Sequence, residues 1–241
     1  MPCGDATVSS RLVNSRTLTL VEGTLATVVR EVAVATGTRQ ERKQRTRQAL
    51  LDAALTLLAD RSLASLSLRE VARAVGIVPT AFYRHFASMD DLGVALVEEC
   101  LRSLRTTIKQ ARTQRATEAI RGSVEVLLRQ VRAKEPHFRF LVRERYGGVP
   151  AVRRAIAVEL KLIASELAVD LGRFPGMADV GGDDLRMAAD LMVGAMLGIV
   201  LALLEVDPHH AEDEREVVAT AEKQLRLIAL GMSRWRSAST A

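Results

Sequence analysis

The segment Ser67–Phe86, SLREVARAVGIVPTAFYRHF, holds the densest set of groups in the chain that could recognise another molecule. Thr80, Ala81, Tyr83, Arg84 and His85 follow one another on a single short helical run. Such a set suits the major groove of DNA. Threonine, the alanine methyl and arginine read base edges, while a tyrosine hydroxyl and arginine hold phosphates. Ser67 and Arg69 open the preceding segment and join the candidate contacts. Upstream, the basic run Arg39–Arg47 supplies cations of the kind that pair with phosphates or enter the minor groove, and Arg45 lies nearest the helix body. The plainer reading is a helical hairpin in an ordinary core, with Phe82 and Phe86 as packing residues and the arginines as a solvated face. Both phenylalanines fit that role. Cap, glycine turn, proline start and local charge together nevertheless favour DNA contact for the segment.

Charge sharpens the argument. The chain of 241 residues carries a net +5. Residues 39–88 hold nine basic groups against four acidic ones, so the whole excess lies in that segment. An anionic partner is therefore a property of about fifty residues, with nucleic acid or an anionic lipid surface as candidates.

A second group of residues suggests a pocket. Phe138, Phe140 and Tyr146, three of the eight aromatics, fall in one later helix. There Arg139, Arg143 and Tyr146 share one face, and Phe138, Leu141 and Val142 another. Met187, Leu191, Met192 and Met196 add flexible apolar lining. Together they suggest a cavity with room for an acyl chain and, on its arginine side, a phosphate-bearing head group. Core packing with surface cations is the competing explanation. Leu191–Leu204 is a run of fourteen uncharged residues, short of the ~20 that a bilayer requires, and reads as a buried helix. Gly194 and Gly198 allow a neighbouring helix to approach. Val218, Ala221, Leu225, Ile228 and Met232 recur at 3–4 spacing as a seam, against either another subunit or the chain's own body.

Catalytic and metal chemistry find no support. The four histidines, His85, His137, His209 and His210, form no metal-binding pattern with the two cysteines, Cys3 and Cys100. No glycine-rich phosphate loop and no G-x-S-x-G is present. The expectation is a non-enzyme without metal or cofactor. Two cysteines and no secretion leader over the first residues suggest a reduced, cytoplasmic setting.

The elements that must position these residues read as helices throughout. Leu50, Ala53, Ala54, Leu57 and Leu58 give one apolar face from about Glu41 to Asp60. Ser67 and Glu70 form a capping box, and Gly76 ends that helix where a left-handed residue is easiest. Pro79 starts the next, expected to reach Phe86, and Ser88 caps a third beginning at Met89. Longer helices are expected over 89–110, 117–134, 136–147, 150–172, 185–205 and 211–236, with a Gly- and Asp-rich loop at 176–184. Nine helices without a sheet make an all-α protein. Residues 1–38 show no helical stripe and read as a mobile tail; 39–88 form a helix-turn-helix unit, and 89–241 a larger helical domain.

From about Arg42 to Val97 the sequence resembles the TetR family of bacterial transcription factors. A basic first helix, LREVARAVGI and PTAFYRHF carry the resemblance, and the aromatic–basic–His–Phe ending is distinctive. The chain departs from the family's pattern at Val78, where Ser or Thr is common, and near Met89, where Lys is common. Ser62–Arg73 and FRFLVRERYG (Phe138–Gly147) are similar to the FabR and DesT branch, repressors of unsaturated fatty acid synthesis. The resemblance implies a homodimeric repressor bound to palindromic double-stranded operator DNA, its last two helices forming a four-helix bundle across a two-fold axis. It also implies a hydrophobic effector, with acyl-CoA or acyl-carrier-protein thioesters as candidates, and fatty acid or lipid genes as targets. A drug-responsive regulator of an efflux pump is the alternative within the fold. A peripheral membrane protein is the alternative outside it, disfavoured because the basic segment is a compact helix-turn-helix; no stable membrane association is expected.

Overall fold

The computed structural model describes residues 38–111, 116–174, 176–177, 180–207 and 209–235. The expected tail over 1–38 lies outside the described residues except for Thr38, as does Cys3. Nine α-helices and one short 3-10 turn, with no strand, make up the described chain. We number the helices α1 (Arg39–Leu57), α2 (Leu68–Val75), α3 (Pro79–Phe82), α4 (Met89–Ala111) and α5 (Ala116–Ala133), then α6 (Glu135–Glu144), α7 (Pro150–Leu171), α8 (Gly182–Glu205) and α9 (Ala211–Arg234). The 3-10 turn covers Leu63–Ser65. The chain divides into two compact units, Met1–Thr46 and Arg47–Ala241.

In the first unit, Thr38 and Glu41 cap the start of α1 reciprocally. The Thr38 N–H donates to Glu41 Oε2 at 2.7 Å, and the Glu41 N–H donates to Thr38 Oγ1 at 3.2 Å. Two orphan donors are thereby satisfied, and the helix starts at Arg39, two residues earlier than its apolar stripe implies.

In the second unit, α2 carries both expected end signals. The Ser67 Oγ accepts from the Glu70 N–H, and the Glu70 carboxylate accepts from the Ser67 N–H at 2.9 Å. Gly76 closes the helix at φ 73° and ψ 26°, in the left-handed region where an L side chain is strained. Pro79 occupies the first turn of α3, which stops at Phe82 rather than Phe86. Beyond it the chain tightens into turns, with His85 N–H donating to Phe82 O at 2.8 Å. Phe82 and Phe86 are both buried, their ring centroids 5.6 Å apart, and the Arg47 guanidinium lies 4.3 Å over the Phe86 ring. Those contacts anchor a helix too short to be stable alone.

The remaining helices pack as layers around α8, which touches α5, α6, α7 and α9, while α4 packs on α5, α6 and α7. α8 begins at Gly182 rather than Leu185, because Asp183 and Asp184 sit favourably at the positive end of its dipole. By length and composition α8 could cross a membrane. Eight of its residues, including Ala188, Ala189 and Leu203, are instead buried within the protein. α6 ends at Glu144, three residues before Gly147, for a reason given below. On α4, Gly93 permits a close approach. A Cβ there would lie 2.4 Å from Leu63 Cδ2 and 2.7 Å from Val152 Cγ2.

Replacing Phe82 by alanine removes a fully buried ring that holds α3 in place. A loss of about 3–5 kcal/mol of stability is expected, measured by urea unfolding; a change under 1 kcal/mol contradicts this account of α3.

Candidate nucleic-acid interface and apolar cavity

Because Phe82 faces the core, the residues around it are turned outward. Thr80, Tyr83 and Arg84 are exposed, Tyr83 to 62%, while Ala81 and His85 are half-buried. Ser67, Arg69 and Arg73 are exposed on and beside α2. In the first unit Arg45 is exposed, as are Arg39, Arg42 and Lys43. Within the second unit, the outward face of α2 and α3 with the turn after it thus mixes hydroxyls, a phenol and guanidinium groups, able to meet base edges and phosphates. The Ser67 hydroxyl is engaged with Glu70, so its first role is that of a cap. Val78, exposed at the N-cap of α3, makes no side-chain cap bond; Pro79 alone sets that start.

Glu70 links this unit to the chain before it. Its carboxylate also accepts from Arg61 Nη1 at 2.9 Å. The Ser67 hydroxyl and N–H, with Arg61, hold its pKa down to about 2.

The second feature is a cavity of about 370 Å³ between α4, α5, α6, α7 and α8. Its wall is apolar, with Leu101, Leu127, Phe138, Leu141, Ile156, Val193 and Met196 among the lining residues. Size and lining match small-molecule sites, which span about 300–1,000 Å³. Among the described lining residues, Arg145 and Tyr146 alone bring polar side chains to it, and the Arg145 guanidinium lies 5.5 Å from the Tyr146 ring centroid. Tyr146 is 82% exposed and marks a way in.

Several expected pocket residues stand elsewhere. Met187 and Leu191 are exposed on the outer face of α8 and do not line the cavity; Met192 is buried but packs outside it. Arg139 is engaged by Glu135 at 2.7 Å and by the Leu204 carbonyl at 3.0 Å. Arg143 faces away from the cavity. Its guanidinium donates to the carbonyls of Leu58 at 2.7 Å, Arg61 at 2.8 Å and Ala59 at 2.9 Å. A head group would have to displace those bonds, so the cation that serves the cavity is Arg145. The spacing Phe138, Val142, Arg145 carried that signal, since steps of four and three keep one helical face.

The seam on α9 also faces inward. Ala221, Leu225 and Met232 are buried in the chain's own core, and Val218 and Ile228 are partly buried against it. The outer face of α9 presents Leu227 and Leu230 instead. Gly194 and Gly198 are exposed and also line the cavity.

The end of α6 joins the two features. Arg143 sits against the turn that follows α1, where free carbonyls and the nearby negative end of the helix dipole favour a cation. The next residue, Glu144, is 1% exposed and accepts the Leu63 N–H at 2.8 Å. Gly147 lets the chain fold over this carboxylate, since a Cβ there would lie 2.2 Å from Glu144 Oε2. Those contacts stop α6 at Glu144. Cavity-lining Leu141, Val142 and Arg145 therefore alternate with residues that grip the chain leading into α2.

The family model described as bacterial regulatory proteins, tetR family, matches residues 50–96. The tetracyclin repressor-like C-terminal domain model matches 116–231. Solved structures with the same fold include a TetR-family transcriptional regulator from Streptomyces coelicolor, with 20% identity and a TM-score of 0.61, covering 79% of this chain and 97% of that one. The fatty acid degradation regulator FadR from Bacillus halodurans shares 18% identity at a TM-score of 0.61, over 79% and 97%. FadR from Bacillus subtilis, solved with stearoyl-CoA, shares 18% identity at 0.61, over 76% and 98%. At these identities the likeness is one of fold.

Two outcomes test the geometry. Arg143→Ala leaves three carbonyls without their charged donor and should cost about 1.5–3 kcal/mol in urea unfolding, with Arg143→Lys recovering only part. The depressed Glu70 pKa stabilises the fold above its ordinary value of 4.5, and that contribution is lost as pH falls toward about 2. Glu70→Gln should therefore flatten the fall in Tm across that window; an unchanged acid profile would show the carboxylate to be idle.

Proposed function

Because the chain belongs to the TetR family of bacterial regulatory proteins, we propose that this transcriptional regulator is a cytoplasmic repressor that binds a palindromic operator as a homodimer. The observation that carries this reading is the outward set Thr80, Tyr83 and Arg84, held on α3 and the turn after it by buried Phe82 and Phe86. Residues 39–88 serve as the DNA-binding domain and 89–241 as the effector and dimerisation domain. Two such units, spaced about 34–36 Å apart, would read two half-sites one helical turn apart. Exposed Met187, Leu191 and Leu201 on α8, with Leu227 and Leu230 on α9, supply the apolar faces for a four-helix bundle between subunits.

The effector is a hydrophobic molecule with an anionic head, of which a long-chain acyl thioester is the best match. The apolar wall takes the chain, and Arg145 beside Tyr146 meets the head group at the opening. The FRFLVRERYG likeness to the FabR and DesT branch and the stearoyl-CoA bound to the Bacillus subtilis neighbour support this choice. Filling the cavity shifts α6, and the Arg143 and Glu144 contacts carry that shift to the segment before α2. Ligand affinity and DNA affinity are then reciprocally coupled.

Footprinting of the promoter regions of its own and neighbouring genes should show a protected palindrome. Tyr83→Ala and Arg84→Ala should each weaken binding about 5- to 150-fold, at about 1–3 kcal/mol per lost contact, without lowering Tm. A footprint indifferent to both variants removes this reading. Native mass spectrometry of the purified protein should find an acyl species; an aromatic drug in its place would favour control of an efflux pump.

A further inference from the structure

Val78 is an apolar side chain that the fold does not use. It stands between α2 and α3 and is 65% exposed. At that position a hydroxyl, carboxylate or amide side chain would hold a free N–H of α3. Valine cannot, and no side-chain bond caps that end. It serves neither the core nor the cap. Its conformation is fixed nonetheless. The proline that follows confines it to extended backbone, and it lies at φ −71° and ψ 145°. On one side the Ile77 N–H donates to Ala72 O at 3.0 Å, with the Ile77 side chain packed against the core. On the other the Ala81 N–H donates to Val78 O at 2.9 Å. The branched side chain adds little freedom of its own. A group so restrained gives up little entropy on meeting a partner.

The surroundings identify that partner. Exposed Thr80 and half-buried Ala81, two and three residues on, belong to the set proposed to face the major groove. A spacing of three sets Val78 and Ala81 on one side of the turn. The first residues of a recognition helix are the ones that reach base edges. Those edges carry ring nitrogens, carbonyl oxygens and amino groups, all polar, and one apolar feature, the C5 methyl of thymine. Against any other base the isopropyl group would cover a polar atom without pairing it, which is costly. Against thymine it covers a methyl, which is favourable.

On the reading of α3 as the DNA-recognition element, we propose that Val78 is a specificity-determining residue whose isopropyl group packs on a thymine methyl in each operator half-site. Tyr83 and Arg84 supply phosphate and base contacts, whereas Val78 supplies the choice of one base pair. It does so chiefly by rejecting the polar edges of the other bases.

Selection from a pool of random DNA duplexes, carried out with the wild type and with Val78→Ser, tests the assignment. Val78→Ser gains a capping hydroxyl and should keep or raise its Tm. The wild type should require thymine at one position of each half-site. Val78→Ser should accept any base there and keep its preferences at every other position. Deoxyuridine at that position lacks only the methyl. It should weaken wild-type binding about fourfold, the worth of one buried methyl, and leave Val78→Ser unchanged. Val78→Thr, which retains one of the two methyls, should fall between them. A wild-type site with no required thymine, identical preferences in the two chains, or equal deoxyuridine penalties in both overturns the proposal while the DNA reading stands. A loss of affinity in Val78→Ser spread evenly over all positions, at unchanged Tm, overturns it as well. A wild type that enriches no sequence from the pool overturns the DNA reading and the proposal with it.

Discussion

The carbonyls of Leu58, Ala59 and Arg61 lie in the turn that follows α1, and one guanidinium on a distant helix donates to all three. Arg143 and its neighbour Glu144 tie the chain entering α2 to the helix that forms one wall of the cavity. Arginine suits this place because its planar fork offers several donors in fixed directions and keeps its charge. Glu144 complements it by accepting a backbone N–H in a site nearly closed to water. The cost of leaving such groups unpaired makes this contact directional in a way that apolar packing is not.

From that contact the structure can be followed in both directions. Toward α3 run Arg61, Glu70 and Ser67, which hold the start of α2. Beyond them, Phe82 and Phe86 turn Tyr83 and Arg84 outward. In the other direction, Leu141, Val142 and Arg145 share a helix with the two gripping residues and line the cavity. A helix is stiff over ten residues, so an occupant that displaces its wall also displaces its polar end.

The all-α class, the capping box at Ser67, the left-handed turn at Gly76 and the start at Pro79 were legible in the sequence, because each depends on residues within a few positions of one another. The Thr38–Glu41 box is equally local, but it lies ahead of the apolar stripe that marks the helix. α3 stops at Phe82 rather than Phe86 because the chain beyond it tightens into turns, Arg84 and His85 donating three residues back to Ala81 and Phe82, while the Phe82 and Phe86 rings pack beneath. The spacing of the α9 seam is visible in the sequence, yet period does not say which partner a face meets.

The sequence by itself therefore determined the period, the ends and the charge of the helices: where α2 starts and stops, and that the excess of positive charge lies in residues 39–88. Only the tertiary structure decided what each face covers. It turned Arg143 from the cavity to the end of α1, gave Arg145 to the opening, buried Ala221 and Leu225 in the subunit and left Leu191, Gly194, Gly198 and Leu201 uncovered. The physical reason is range. Caps, turns and dipoles act over a turn of helix, whereas burial and the pairing of orphan carbonyls depend on segments some eighty residues apart.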